Sequence, residues 1–323
     1  MMKLLGLDIG GTKTSVCVGQ EDGTLLASQR MPTRPEEGPE AWRLRLRQLT
    51  ADVLQEAGLA TTDLAAVGIA SPGPMSVRRG MMLEPPNMRG WINVPVHAWL
   101  QEDVQRPTFI NNDANACAQA EWLFGSCAGA ESLVYLTMST GMGGGIVVHG
   151  KVVQGASDMA GEVGHFVLEA DGPPCPCGQR GCFEMYCGGM NVANRLRERI
   201  VREKIDTSIL TEAGGDPARI EFRHFAQATR AGDAFARREF DAYLERLAQG
   251  FGILLMTLNP EVLVLGTIAI HHGDLIFDQL RQRLPRYAWR YTLEPCRIVP
   301  STLEGRIGDL SALAVALSGL QNR

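Results

Sequence analysis

The chain has 323 residues, 45% hydrophobic and 21% charged, with 31 Lys and Arg against 36 Asp and Glu. That length exceeds the roughly 250–300 residues at which a single core stops growing, so two domains are expected. The net charge of -5 speaks against a general nucleic-acid surface, and the longest apolar stretch, Ile253 to Ile270, is broken by Asn259, Pro260 and Glu261 before it could span a bilayer.

Lys3 to Ile9 reads as a buried strand. Gly10 and Gly11 turn it, Thr14 to Val18 returns, and Thr24 to Ser28 follows the Asp22-Gly23 hairpin turn. Asp8 interrupts the first apolar run so early that no signal peptide is expected, which predicts a cytoplasmic chain with reduced thiols. Glu40 to Ala57 has apolar residues at helical spacing and Gly58 stops it. Leu64 to Ala70 is a strand ending at Ser71-Pro72-Gly73-Pro74, and Met75 to Asn93 is expected to be a loop. Val94 to Val104 reads as a helix, Arg106 to Asn111 as a strand, and Asn112 to Phe124 as a helix.

The opening pattern then returns. Ser132 to Met138 is a strand, Gly141 to Gly145 a glycine turn, Gly145 to Val148 a strand, and Lys151 to Gln154 a third strand after Gly150. Two halves that start alike suggest a duplicated unit with a cleft between the halves. Helices are expected over Gly189 to Lys204, Asp233 to Leu258, Leu275 to Leu284 and Gly308 to Leu320, with strands at Val262 to Leu265 and Arg297 to Pro300.

Four segments carry chemistry. In Asp8-Ile9-Gly10-Gly11-Thr12-Lys13, glycines let backbone N–H groups approach an anion, and Asp8 could hold magnesium directly or through water. A glycine hairpin without a ligand fits the same letters. Ser139-Thr140-Gly141-Met142-Gly143-Gly144-Gly145 occupies the equivalent place in the second half, so two such turns could grip one polyphosphate. In Asn111-Asn112-Asp113-Ala114-Asn115, Asp113 is either a helix cap or a general base. The fourth segment, Gly161 to Glu184, holds His165, Cys175, Cys177 and Cys182 in a Gly- and Pro-rich stretch. Disulfides are one reading of these cysteines. Three thiolates and an imidazole closing a structural zinc site are the other, and reduced thiols favour it. Glu162 and Glu184 would then be held outward as acceptors for a polar ligand. Cys17, Cys117, Cys127, Cys187 and Cys296 are scattered and read as small buried residues.

D-I-G-G-T-K, N-D-A-N-A, S-T-G-M-G-G-G, G-E-V-G-H and C-P-C-G-Q-R-G-C-F-E stand in this order over nearly the whole chain, and together they resemble the ROK family of repressors and sugar kinases. The resemblance implies a duplicated α/β actin-like ATPase (ribonuclease H-like) fold, as in hexokinases, with two lobes and a central cleft. Residues 1–112 with the helix 308–323 would form the small lobe, and 113–307 the large lobe with the zinc segment 161–184. It implies a glucokinase-like enzyme that phosphorylates a hexose from ATP with Mg2+ at the 6-hydroxyl. Asp113 would be the catalytic base. Gly73, Asn87, Asn112, Glu162, His165 and Glu184 would contact the sugar. Gly6, Asp8, Gly10, Gly11, Thr12 and Lys13, with Ser139, Thr140, Gly141, Gly143, Gly144 and Gly145, would hold the ATP phosphates, and Gly266 would lie near the adenosine. His165, Cys175, Cys177 and Cys182 match the zinc ligands, and His165 could turn its other nitrogen to the sugar. A homodimer is also implied.

Glucose is the expected hexose; an N-acetylhexosamine, fructose or allose kinase and a catalytically silent sugar sensor are the alternatives. Relatives in the family often carry Gly-Gly after the late buried strand, where this chain has Gly266-Thr267. Sugar-responsive repressors of the family need a winged helix ahead of the core. With the phosphate motif starting at Gly6 and an acidic balance, nucleic-acid and membrane partners are not expected.

Overall fold

The computed structural model describes residues 1–303 and 305–321; Asn322 and Arg323, the end of the expected helix 308–323, lie outside them. The chain runs β1 (Lys3–Ile9), β2 (Lys13–Gln20), β3 (Leu25–Pro32), α1 (Pro39–Glu56), β4 (Leu64–Ser71), β5 (Met75–Ser76), β6 (Met81–Met82), α2 (Val96–Val104), β7 (Thr108–Asn112) and α3 (Asp113–Phe124). It continues through β8 (Ser132–Met138), β9 (Met142–Val148), β10 (Lys151–Val152), α4 (Phe183–Cys187), α5 (Gly189–Glu203), α6 (Ser208–Glu212), α7 (Phe222–Ala231) and α8 (Ala234–Leu258). It closes with β11 (Val262–Leu265), α9 (Ile268–His271), α10 (Gly273–Arg283), α11 (Arg290–Leu293), β12 (Arg297–Pro300) and α12 (Ile307–Gln321).

Two five-stranded sheets, β3-β2-β1-β4-β7 and β10-β9-β8-β11-β12, repeat one order: third, second, first, fourth, fifth. In the first, β1 pairs antiparallel with β2 and parallel with β4, and β4 pairs parallel with β7. In the second, β11 pairs parallel with both β8 and β12. The duplication expected from the sequence is thus present in strand order. The chain divides into two compact units, Met1–Glu131 with Gly145–Gly161 and Thr302–Arg323, and Ser132–Gly144 with Glu162–Ser301.

In the first unit the side-chain alternation of β1 decides what packs where. Leu5, Leu7 and Ile9 enter one core with Trp42, Leu46 and Val53 of α1 and Leu100 of α2. Leu4, on the opposite face, enters a second core with Leu310, Leu313 and Leu317 of α12 and Ala120 of α3. Small residues let these backbones approach: Ala70, Ala116, Ala312 and Val315 form their own buried cluster, and a Cβ on Gly68 would overlap the backbone of Ala312 and Ala316. The packing of α3 on α12 is why residues 113–131 join the first unit and not the larger lobe to which the resemblance assigns them. The segment 75–93, expected as a loop, contains the hairpin β5-β6, pinned by buried Met75, Met82, Met88 and Trp91. Strands this short leave no readable alternation.

In the second unit, α8 carries the apolar face expected of Asp233 to Leu258, and Asp233 accepts the Ala236 N–H as its N-cap. Helices α6 and α7 lie where the sequence reading places no helix. The latter buries Phe222, Phe225 and Ala226, and its first turn is closed by Glu221 and His224.

Candidate active site

Each glycine turn is built within one unit. In the first, β1 ends at Ile9 and the Gly10 N–H donates to the Lys13 carbonyl at 2.9 Å. Thr33 braces the turn from β3's end: its N–H donates to the Thr12 carbonyl at 3.0 Å and its hydroxyl to the Gly10 carbonyl at 2.6 Å. Gly11 backs onto Asn87, where an added Cβ would come within 2.9 Å of the Asn87 Cβ. Thr12 and Lys13 are exposed. Gly73 lies between β4 and β5, joined to Pro74 by a cis peptide. Gly6 is away from the turn. It sits mid-strand, and a Cβ there would lie 2.8 Å from Cys17 Sγ and 3.0 Å from Ala312 Cβ, so its smallness serves the approach of α12 and not a phosphate.

Asp8 shares the face of Leu4 and Gly6. Its carboxylate lies against the first turn of α12, close enough that a side chain at Gly308 would overlap Oδ2. A helix N-terminus favours a negative charge, yet burial dominates. Burial first, then the charges of Asp113 and Asp309, push the Asp8 carboxyl up to about 6 against the pull of Lys13 and Arg30. Asp309 is a residue that sequence reasoning missed. It accepts Ser15 Oγ at 2.5 Å and Ser28 Oγ at 2.8 Å, tying α12 to β2 and β3 across a separation of 294 residues that no local pattern signals.

The ambiguity at the start of α3 resolves in favour of its neighbour. Asn112 is the N-cap, its Oδ1 accepting the Ala114 and Asn115 N–H groups at 2.9 and 3.3 Å. Asp113 is the first helical residue, exposed, with Oδ1 accepting its neighbour's N–H at 2.8 Å, and its charge is felt at Asp8.

In the second unit, the Ser139 N–H donates to the Gly141 carbonyl at 3.1 Å and closes the turn three residues earlier than its glycines suggest. Gly143, Gly144 and Gly145 are strand residues of β9. Gly145, which belongs to the first unit, is required there because a Cβ would overlap the Ala114 carbonyl and Ala118 of α3. From the other side the start of α5 holds the turn: the Gly189 N–H donates to the Ser139 carbonyl at 2.8 Å and the Met190 N–H to the Thr140 carbonyl at 3.0 Å. Glu184 completes the clamp, its Oε2 accepting the Met142 N–H at 2.7 Å. A cavity of about 580 Å³ opens beside the turn, lined by Ser139, Thr140, Gly189, Met190, Thr267 and Ile268. Gly266 donates its N–H to the Leu136 carbonyl at 2.9 Å, and a Cβ would meet the Tyr135 hydroxyl at 2.5 Å. Thr267 takes φ 40, ψ -92, a backbone conformation that strains a β-branched residue.

The four residues expected to ligate a metal come together. His165 Nδ1 or Nε2 and the Sγ atoms of Cys175, Cys177 and Cys182 all lie within 4.8 Å of one another. Cys175 Sγ is 3.6 Å from His165 Nδ1, and Cys177 Sγ is 3.6 Å from Cys182 Sγ. A tetrahedron with Zn–S bonds of about 2.3 Å has S···S edges of about 3.8 Å, whereas a disulfide needs about 2.05 Å. The donor set therefore fits a closed zinc site, and all eight cysteines are free thiols. The backbone N–H of Gln179 holds the Cys177 thiol below its usual range, while burial pushes Cys182 up to about 12. The segment between them is a hairpin: the Cys175 N–H donates to the Gln179 carbonyl at 2.8 Å and the Gly181 N–H to the Pro173 carbonyl at 2.8 Å. His165 ends a short 3-10 turn capped by exposed Glu162, whose carbonyl accepts the His165 N–H at 3.1 Å. With Nδ1 toward the cysteines, Nε2 is the nitrogen left on the ring's other side.

Known proteins agree with this layout. The ROK family model matches residues 4–318. A glucokinase from Thermotoga maritima is 32% identical over 314 residues, covering 97% of each chain. The crystal structure of a ROK hexokinase from Thermus thermophilus superposes with a TM-score of 0.84 at 32% identity, covering 100% of both chains. A ROK family glucokinase from Streptomyces griseus, solved in complex with glucose and AMPPNP, gives a TM-score of 0.79 at 29% identity, over 98% of this chain and 99% of that one. A match across nearly the whole length, with the repeated sheet order and the Cys/His cluster, places the chain in the ROK family, as a sugar kinase of the actin-like ATPase superfamily.

Proposed function

We propose that the protein transfers the γ-phosphoryl group of Mg-ATP to the 6-hydroxyl of a hexose, glucose first, with Asp113 as general base. The observation that carries this reading is geometric: β1, β4 and β7 run parallel, with Asp8 opposite Ala70 and Ala70 opposite Asn111, so Asp113 and the first glycine turn leave the same edge of one sheet, and the charge of Asp113 adds to the upward shift of the Asp8 carboxyl. A proton acceptor and a phosphate turn thus share one neighbourhood, and Asn112 has taken over the cap that would otherwise occupy Asp113.

In the reaction, the O6–P bond forms as the bridging P–O bond breaks, its electron pair leaves with ADP, and the hydroxyl proton passes to Asp113. Phosphoryl transfer of this kind depends on alignment and charge neutralisation more than on covalent catalysis. A positioned carboxylate contributes about 10²–10⁴-fold. Asn112, Glu162, His165 and Glu184, with Gly73 and Asn87, hold the sugar hydroxyls. Gly10, Gly11, Thr12 and Lys13, with Ser139 to Gly144, hold the phosphates, and the cavity beside Thr140 takes the adenosine. Bound Mg2+ would neutralise phosphate charge, and Asp8 is the residue suited to hold it, since a cation relieves its crowding by Asp113 and Asp309. Zinc on His165 and the three cysteines is structural, because four protein ligands leave no open position.

The test is a panel of glucose, mannose, fructose, allose and the N-acetylhexosamines with Mg-ATP, the product position read by NMR. Glucose 6-phosphate as the fastest product is the expected result. A faster N-acetylhexosamine, fructose or allose moves the substrate, and no phosphoryl transfer to any sugar leaves a silent sensor.

A further inference from the structure

Three consecutive residues face three different partners. Cys182 belongs to the Cys/His cluster. Phe183 is fully buried, stacked on Phe166 at 5.1 Å and edge-on to Phe251 of α8 at 6.4 Å. Gly250 makes room for it, since any side chain there would overlap the ring. Glu184 turns to the second glycine turn, and its Oε2 accepts the Met142 N–H at 2.7 Å. On a helix successive residues diverge by about 100°, which is how one short element reaches three sites. Five residues on, the Gly189 and Met190 N–H groups hold the Ser139 and Thr140 carbonyls. Gly141 is fitted to this grip, because a Cβ would lie 2.5 Å from Glu184 Oε2.

The geometry points to Glu184 as the positioning residue of the second glycine turn, linking the sugar site to the nucleotide site. A carboxylate has two oxygens and about four lone-pair positions, so one oxygen fixes the Met142 N–H while the other accepts a sugar hydroxyl. Both ligands then depend on one side chain, and each raises the affinity of the other by the same factor. This goes beyond a sugar contact, and it rests on the reading of residues 139–144 as a phosphate site.

The experiment measures binding of ADP with Mg2+, first with no sugar present, to the wild type, Glu184→Ala, Glu184→Gln and Gly143→Ala. A hydrogen bond to a charged group has the strength to change affinity by about tenfold or more. Glu184→Ala should weaken ADP about that much without sugar, abolish the mutual enhancement of ADP and glucose, and speed amide exchange at Met142. Glu184→Gln keeps an oxygen for the Met142 N–H and should stay near the wild type for ADP. If Glu184→Ala does not fold, Glu184→Asp retains the charge but retracts the carboxylate by about one C–C bond, about 1.5 Å, and should show the same ADP loss. Wild-type ADP affinity and Met142 protection in Glu184→Ala, with glucose binding lost, would overturn the inference. Gly143→Ala separates the two levels. If it weakens ADP while Glu184→Ala does not, only the link fails; if neither shifts ADP, the phosphate role of the turn falls as well.

Discussion

The two glycine turns occupy equivalent places in the repeated sheets, after β1 and after β8, but they are held by different means. The first is braced by its own sheet and by the C-terminal helix: Thr33 bonds the Gly10 and Thr12 carbonyls, and Asp8 abuts the start of α12. The second is held by a segment that starts in the Cys/His cluster and ends in the first turn of α5. A duplicated unit has thus kept its strand order while changing its support. One turn depends on the hydrophobic packing of α12, the other on the hairpin of the Cys/His cluster.

The sharpest way to break this contrast is to disable the proposed zinc site. Replacing Cys182 with Ser should abolish zinc binding, read by elemental analysis against about one zinc per wild-type chain. Because metal binding at such sites is folding free energy, amide exchange should rise by about 10²-fold or more, the equivalent of roughly 3 kcal/mol, over residues 166–190 and in the 139–142 turn. Exchange in Lys3–Gln20 should stay as it was. Equal loosening of both turns would show that their supports are not separate.

A smaller effect probes the first turn through pH. The folded-state pKa of Asp8 is raised to about 6 from 3.8. A carboxyl shifted upward contributes stability that is fully present below the unfolded value and lost as pH rises through about 6. Asp8→Asn removes that loss. Without added Mg2+, the variant should melt a few degrees above the wild type at pH 8, with the difference vanishing near pH 4. Mg-ATP should narrow the gap at pH 8, since it stabilises only a protein that retains the carboxylate. A variant less stable than the wild type at pH 8 would contradict the raised pKa.

The smallest effect concerns the edge of the cavity beside the second turn. Thr267 holds φ 40, a conformation that glycine adopts without strain. Thr267→Gly should stabilise the protein by about 1 kcal/mol in chemical denaturation. A loss of that size would mean that the threonine side chain contributes more than its backbone costs.

Much of this is legible in the sequence. The repeated strand, glycine turn and strand announce the duplication, and the Cys and His spacing announces the four-residue cluster, because both are local patterns. Glycine is the residue that misleads. Gly6 and Gly145 carry the same letter as phosphate-binding glycines but are small for the passage of α12 and α3, and only packing distinguishes the two uses. Asp309 leaves no local trace at all, since its partners Ser15 and Ser28 are nearly the whole chain away. Glu184 reads in the sequence as a sugar contact, yet its bond to Met142 spans 42 residues and two elements. Contacts of that kind belong to the fold, not to any window of the chain.

The most direct test of the account is Asp113→Ala, assayed by coupled ADP release with saturating glucose and Mg-ATP beside equilibrium binding of glucose. Loss of a positioned base should lower turnover by about 10²–10⁴-fold, with glucose still bound within a few-fold of the wild type. Turnover near the wild-type rate would remove Asp113 from the reaction and with it the proposed mechanism.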